Sequence, residues 1–274
     1  MFLVLGQPRS GTTLVAQCLN AHPDLVLPDE TDAVVPLAFL VDRIEEPDLG
    51  RELATTLITH SRRFADSIGE YLDAERVAAV VGAAPWTLNG ILTDLYAAVA
   101  EAGGGRLGGD KSPNDLKFQR ILLTARLYGP NLPVVHVVRD VRDVMASFRD
   151  LGWAQGVPEG LARFWEANNL LVQASVPRQE SPYLLVRYED VVADPEREFR
   201  RICALLGVAW DPGMIDDERR YQQFAGHREI GQHAQTFQPI SGARVGRYAD
   251  EFDAETLAHI TDLAREGLDA FGYE

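Results

Sequence analysis

Two periodicities alternate along the chain. Short, nearly continuous apolar runs occur at Phe2 to Leu5, Val134 to Val138 and Tyr183 to Val186, with a weaker one at Arg106 to Gly108. Each is followed by glycine or polar residues and then by apolar positions spaced three and four apart, the spacing of one helix face. Such a face runs from Thr13 to Asn20. Others comprise Phe118, Ile121, Leu122 and Ala125, then Phe199, Ile202, Cys203 and Leu206. The helix through Phe199 has Asp194 as N-cap and Pro195 in its first position, and it stops near Gly207. A last helix from about Asp253 carries Leu257, Ile260, Ala264, Leu268 and Phe271 on one face. Strands apolar on both sides, each feeding a helix, predict an α/β fold with a central, mainly parallel sheet between two helical layers.

Two stretches depart from this alternation. Thr31 to Gly103 reads as several helices with no strong strand, a helical insertion of the kind that serves as a lid over a substrate. Tyr221 to Tyr248 lacks clear periodicity, and a loop of that length is usually functional or mobile. We expect residues 1–274 to form one domain, with 31–103 as the helical insertion over the acceptor site.

Composition narrows the function. The chain has 26 lysines and arginines against 41 aspartates and glutamates, a net charge of −15, which argues against broad binding to nucleic acid or anionic membrane. An anion site must therefore be built locally from arginines. The two cysteines, Cys18 and Cys203, sit at apolar helical spacing and read as core residues, not as a disulfide or a metal site. No apolar stretch approaches the roughly 20 residues of a membrane span, and no signal peptide is visible, so a cytoplasmic setting is expected.

The chemistry begins at Gly6-Gln7-Pro8-Arg9-Ser10-Gly11-Thr12-Thr13, directly after the first apolar run. It approaches a nucleotide-phosphate loop in the spacing of Gly6 and Gly11 and in the hydroxyl of Thr13. Thr12 stands where the loop lysine of an ATP- or GTP-hydrolysing protein would be, and the positive charge sits inside the loop at Arg9. The unpaired N–H groups of a helix start, with the hydroxyls of Ser10, Thr12 and Thr13, suit a phosphate. A second anion motif, Arg139-Asp140-Val141-Arg142-Asp143-Val144-Met145-Ala146-Ser147, follows the Val134 to Val138 strand. Its bland alternative is a surface helix whose arginines and aspartates pair with one another. Two phosphate-type sites on one sheet suggest a nucleotide phosphorylated at both ends.

These motifs resemble the sulfotransferases that use 3′-phosphoadenosine 5′-phosphosulfate (PAPS), in the branch that includes tyrosylprotein sulfotransferases and many bacterial enzymes. The likeness extends through Asn20-Ala21-His22-Pro23, Asp29-Glu30-Thr31 and Asp110-Lys111-Ser112-Pro113. It continues with Arg187-Tyr188-Glu189-Asp190 and Pro239-Ile240 … Gly246-Arg247-Tyr248. The resemblance implies a P-loop-type fold and transfer of a sulfuryl group to a hydroxyl, less favourably an amine, of a small molecule or glycan, without a metal.

It further implies that Arg9, Ser10, Gly11, Thr12 and Thr13 hold the 5′-phosphate, and that Arg139 and Ser147 hold the 3′-phosphate. Arg244 and Arg247 would close over the nucleotide, their alternative being solvent-exposed charge. Lys111 would sit by the sulfuryl oxygens, and Glu30 would be the base, with Asp29 or His60 as alternatives. His22 reads as helix-end packing. The Tyr188-Glu189-Asp190 run reads as structural, Glu189 or Asp190 holding an arginine. Trp86, Trp153, Trp165, Phe39 and Phe148 are available to line an acceptor pocket, with core packing the default for each. Rival readings are a P-loop kinase or NTPase and a non-catalytic nucleotide-binding protein of the same fold.

Overall fold

The computed structural model describes residues 1–152, 158–223 and 236–273. Trp153 lies outside them, as do residues 224–235 of the aperiodic segment. Five strands form one wholly parallel sheet in the order β2-β3-β1-β4-β5. They are β1 (Phe2–Gly6), β2 (Leu25–Val26), β3 (Leu107–Asp110), β4 (Val134–Val138) and β5 (Tyr183–Arg187). Only β2 was not visible in the sequence: it is two residues long and pairs with β3 alone.

The helices are α1 (Thr12–Asn20), α2 (Val34–Arg43), α3 (Pro47–Thr59), α4 (Ala74–Ala83), α5 (Leu88–Ala102), α6 (Gln119–Thr124) and α7 (Val141–Asp150). They continue as α8 (Pro158–Ser175), α9 (Tyr188–Ala193), α10 (Pro195–Leu206), α11 (Asp217–Gln222), α12 (Tyr248–Glu251), α13 (Ala254–Leu263) and α14 (Arg265–Phe271). Strand alternation assigns the layers. Leu3, Leu5 and Val134 share one core with α2 to α6 and with Val172 of α8. Phe2, Val4, Val135, Val137 and Val186 face the opposite side, against α1, α9 and α10. The expected three-layer arrangement results, and α2 to α5 lie between β2 and β3 in the chain.

Local chemistry sets the element ends. Asp194 accepts from the Arg197 N–H and Gly207 closes α10 in the left-handed conformation, φ 69°. The last predicted helix is instead two, broken at Ala264 (φ −123°, ψ 23°). The break lets Ile260 and Leu263 of α13 and Leu268 and Phe271 of α14 enter one cluster around the buried Trp165. Trp165 and Phe271 meet edge to face, 5.7 Å apart.

From β1 the chain goes to the edge strand β2, returns to β3 beside β1, and then crosses to β4 and β5 on β1's other side. The sheet therefore changes direction between β1 and β4, and the crevice outside the carboxyl ends of those strands is where such folds bind ligands. Arg9 follows β1, Lys111 follows β3, Arg139 follows β4 and Tyr188 follows β5.

Candidate active site

The loop after β1 is shaped by close approach. A Cβ on Gly6 would lie 2.6 Å from the Val137 carbonyl oxygen and 2.7 Å from Thr12 Cγ2. Gly11 is left-handed (φ 90°), and a Cβ there would lie 2.4 Å from Cδ2 of Tyr188. Gly11 is the N-cap of α1, and no side chain caps that helix start. Ser10 does not cap the helix. It is fully buried, and its Oγ has no hydrogen-bond partner among the described residues. An orphaned hydroxyl beneath an uncapped helix start is the arrangement that an oxyanion completes. Arg9 takes a positive φ of 74°.

The second motif meets the loop after β1. Arg9 Nε donates to Ser147 Oγ at 3.0 Å, and Arg139 Nη1 donates to the Arg9 carbonyl at 3.3 Å. Burial and then the charge of Arg139 pull Arg9 below the usual arginine range. Two cations held this close in a partly buried site favour an anion between them. One pocket is lined by Arg9, Gly11, Thr12, Thr13, Arg139, Ser147 and Arg244, together with Leu14, Tyr188, Val192 and the segment Gln238–Ser241.

The arginines and aspartates of the second motif do pair locally in part. Arg142 binds Asp140 with Nε at 3.0 Å and Nη2 at 2.7 Å and stacks on Tyr248. Asp143, fully buried, accepts from the N–H groups of Gly246 at 2.8 Å and Tyr248 at 3.2 Å, and it faces Arg139 at 3.7 Å. Arg139 also donates to the Arg244 carbonyl at 2.6 Å. The late segment is thereby fastened to the base of α7. Arg244 reaches the pocket wall, whereas the Arg247 guanidinium is held by Asp150 at 2.6 Å and Glu251 at 2.5 Å and does not line the pocket.

Tyr188 has a larger part than its sequence context suggested. Its ring lies under the Arg139 guanidinium, 4.6 Å from centre to carbon, and fills the space left by the missing Gly11 side chain. It thus packs between Gly11 of the first loop and Arg139 of the second motif. Among the described residues Glu189 holds no arginine by hydrogen bond. It accepts from the Asp140 N–H at 3.0 Å and from the Tyr273 hydroxyl at 2.9 Å, while Asp190 faces the exposed Arg197 at 3.8 Å. The turn carrying Arg139 is fixed further by Trp165, whose Nε1–H donates to the Arg139 carbonyl at 3.0 Å.

Glu30 and Lys111 form a neighbouring cluster. Lys111, 1% exposed, donates from Nζ to Glu30 Oε1 at 2.8 Å and stands 4.0 Å from Asp29. Arg63, from the loop after α3, faces Glu30 and Asp32 at 3.6 Å and Asp29 at 3.9 Å. Beneath this cluster Asp110 accepts from the Tyr96 hydroxyl and from Thr31 Oγ1 at 2.8 Å. Burial raises the Asp110 carboxyl, and it raises Asp115 well above the carboxylate range, aided by the charge of Asp110. The residues adjoining Glu30 and Lys111 in sequence are thus tied together below them.

The remaining candidates lie elsewhere. His60 is exposed at the end of α3 and contacts Thr56 and Thr59. His22 accepts from the Asp24 N–H at Nδ1 and donates from Nε2 to the Ala209 carbonyl at 2.7 Å, the helix-end packing its position implied. Trp86 donates to the Ile44 carbonyl and covers Gly50 within the insertion. Phe39 is exposed and Phe148 half-buried. Among the described residues, no group of three or more His, Cys, Asp or Glu side chains is placed to hold a metal ion.

A phosphate-type loop without the NTPase lysine and a second arginine-bearing turn thus meet at the switch point of the sheet. Residues 2–212 match the model of the sulfotransferase family, and the chain belongs to that family. It is 25% identical to nodulation protein NoeE of Sinorhizobium fredii (strain NBRC 101917 / NGR234), over 99% of this chain. The chain spans 65% of that protein's length. Among solved structures it is similar to the sulfotransferase domain of the Synechococcus PCC 7002 olefin synthase. There the TM-score is 0.67 at 25% identity, covering 100% of this chain and 94% of that one. It shares the fold of mouse sulfotransferase SULT7A1 complexed with PAP, with TM-score 0.51 and 12% identity over 98% and 84% of the two chains.

Proposed function

We propose that the chain is a PAPS-dependent sulfotransferase that moves a sulfuryl group to a hydroxyl, less favourably an amine, of a small molecule or glycan. The observation that carries this reading is that Arg9, Arg139 and Ser147, from the ends of β1 and β4 and from α7, line one pocket, with Arg9 bonded to Ser147 and Arg139 to the Arg9 carbonyl. A donor with phosphates at 5′ and 3′ needs two such arms, and ATP, lacking a 3′-phosphate, uses only one. The complex of mouse SULT7A1 with PAP, adenosine 3′,5′-bisphosphate, supports the same donor class. A kinase reading has no comparable support: Thr12 replaces the loop lysine and its methyl packs against Gly6.

In this reading Arg9, Ser10, Gly11, Thr12 and Thr13 hold the 5′-phosphate, and Arg139 and Ser147 hold the 3′-phosphate. Arg244 closes the pocket from the late segment, and Arg247 acts through its ion pairs in keeping that segment in place. The donor supplies an activated sulfuryl group on its 5′-phosphate. The acceptor oxygen forms the new S–O bond while the bond to the 5′-phosphate oxygen breaks. Arg9, the loop amides and Lys111 stabilise the charge that collects on the leaving side. Glu30 takes the acceptor proton, its carboxylate oriented by Lys111 and Arg63. The helical segment 31–103 serves as the acceptor-side lid of a single domain spanning 1–274. The two free, buried thiols, Cys18 and Cys203, support a reducing, cytoplasmic setting.

The test is incubation with PAPS and a panel of phenols, sugars, lipid alcohols and amines, with the bisphosphate and sulfated product followed by mass spectrometry. The reading expects stoichiometric release of both. Binding of the bisphosphate without transfer to any acceptor would favour the non-catalytic reading.

A further inference from the structure

We propose that Arg220 is a positioning residue of the donor pocket, clamping the segment 236–241 against the phosphate-loop helix α1. The inference rests on the donor reading above. Arg220 is 0% exposed although it lies on a short surface helix, α11, and burial of a guanidinium needs a structural return. Its fork reaches two carbonyls of one segment at once: Nη1 donates to Thr236 at 2.6 Å and Nη2 to Gln238 at 2.7 Å. Asp217, at 2.7 Å from Nη2, neutralises its charge from the same helix. The third direction is α1. Nη1 lies 3.4 Å from Gln17 Oε1, and Gln17 Nε2 donates to Thr236 Oγ1 at 3.3 Å.

Gln17 is fully buried on the helix whose start forms the phosphate loop, and Thr236, Gln238, Pro239, Ile240 and Ser241 line the pocket. The guanidinium therefore fixes one end of the pocket wall to the element that holds the phosphate. Arg139 and Asp143 fix the other end, at Arg244, Gly246 and Tyr248. A lysine keeps the charge and a similar length, but a single ammonium on a flexible stem cannot reproduce a planar fork spanning two carbonyls.

The test uses the full chain with Arg220→Lys, and Arg220→Met as a second variant. Amide hydrogen exchange is measured without ligand, and adenosine 3′,5′-bisphosphate is titrated by calorimetry well below the melting temperature. The proposal expects faster exchange confined to 236–246, unchanged protection in β1 and β4, and bisphosphate binding weakened about tenfold in at least the methionine variant. Binding within twofold of wild type in both variants would overturn it. So would weakened binding accompanied by faster exchange throughout β1 and β4, which marks a general loss of stability. The exchange arm needs no ligand, so a wild-type protein that ignores the bisphosphate would sink the donor reading while Arg220's hold on the segment was still measured.

Discussion

At the scale of single residues, the account turns on groups whose partners are known. Arg139 supplies a charge at the carboxyl end of β4, and Tyr188 and Trp165 hold it there. Charge-assisted hydrogen bonds of this kind contribute about 1.5–3 kcal/mol. Arg139→Met is expected to weaken binding of adenosine 3′,5′-bisphosphate roughly 10- to 100-fold while changing affinity for 5′-AMP much less. Parallel titrations with the two nucleotides check this, and equal losses for both would remove Arg139 from the 3′ arm. Glu30, the base in the proposed reaction, sits 2.8 Å from Lys111. Glu30→Gln is expected to keep bisphosphate affinity and lower turnover by about 10²–10⁴-fold, the usual contribution of a general base. Undiminished turnover would pass the role to Asp29 or to the exposed His60. Arg9, Arg139 and Ser147, which line the pocket, were legible in the sequence because they stand in motifs that follow apolar strands, whereas Arg247 of the late segment is taken up by ion pairs. Tyr188, Asp143 and Arg220 were not legible, since each acts through a partner distant in the chain.

At the scale of elements, the strand-to-helix junction after β1 is the most constrained. Gly11 combines φ 90° with a Tyr188 ring where its side chain would go. Gly11→Ala must therefore both adopt a strained left-handed backbone and displace the ring under Arg139. It is expected to abolish measurable bisphosphate binding and lower the melting temperature. Gly11→Ala combined with Tyr188→Ala is expected to recover part of the stability, because only the clash is relieved. Scanning calorimetry of the single and double variants decides. Strands β1 and β4 were legible because burial on both faces makes them continuously apolar, and the edge strand β5, only partly buried, because it keeps the apolar run Leu184-Leu185-Val186. The two-residue β2 carries too little pattern to read, and the break at Ala264 follows from tertiary packing on Trp165, which periodicity does not encode.

At the scale of the whole molecule, the net charge of −15 makes every anion site a local construction, and the fold builds this one from the ends of neighbouring parallel strands. Among the described residues no helix is long and apolar enough to cross a membrane. The sheet also carries a buried titratable group, His136 on β4. Its Nε2 donates to Asn169 Oδ1 at 2.9 Å and its Nδ1 accepts from the Tyr183 hydroxyl at 2.7 Å, so it is neutral in the fold. Burial lowers it from 6.5 to about 4, against a smaller opposing effect of Asn169. The unfolded chain therefore binds this proton first. The associated stability is present above pH 6.5 and is lost as the pH falls toward 4, on the order of 3 kcal/mol in all. Buried Asp110, Asp115 and Glu189 have raised values and act in the opposite sense. The contribution of His136 is thus isolated by difference. Denaturant titrations of wild type and His136→Gln between pH 7 and 4 are expected to show the shallower acid decline in the variant.

The central claim, a pocket built for a nucleotide phosphorylated at both ends, is tested most directly by one calorimetric comparison. Adenosine 3′,5′-bisphosphate and ADP are titrated into the protein side by side, without magnesium. The account predicts clear preference for the bisphosphate, because only it engages Arg9 and the loop amides together with Arg139 and Ser147. Equal or tighter binding of ADP would contradict the two-arm site.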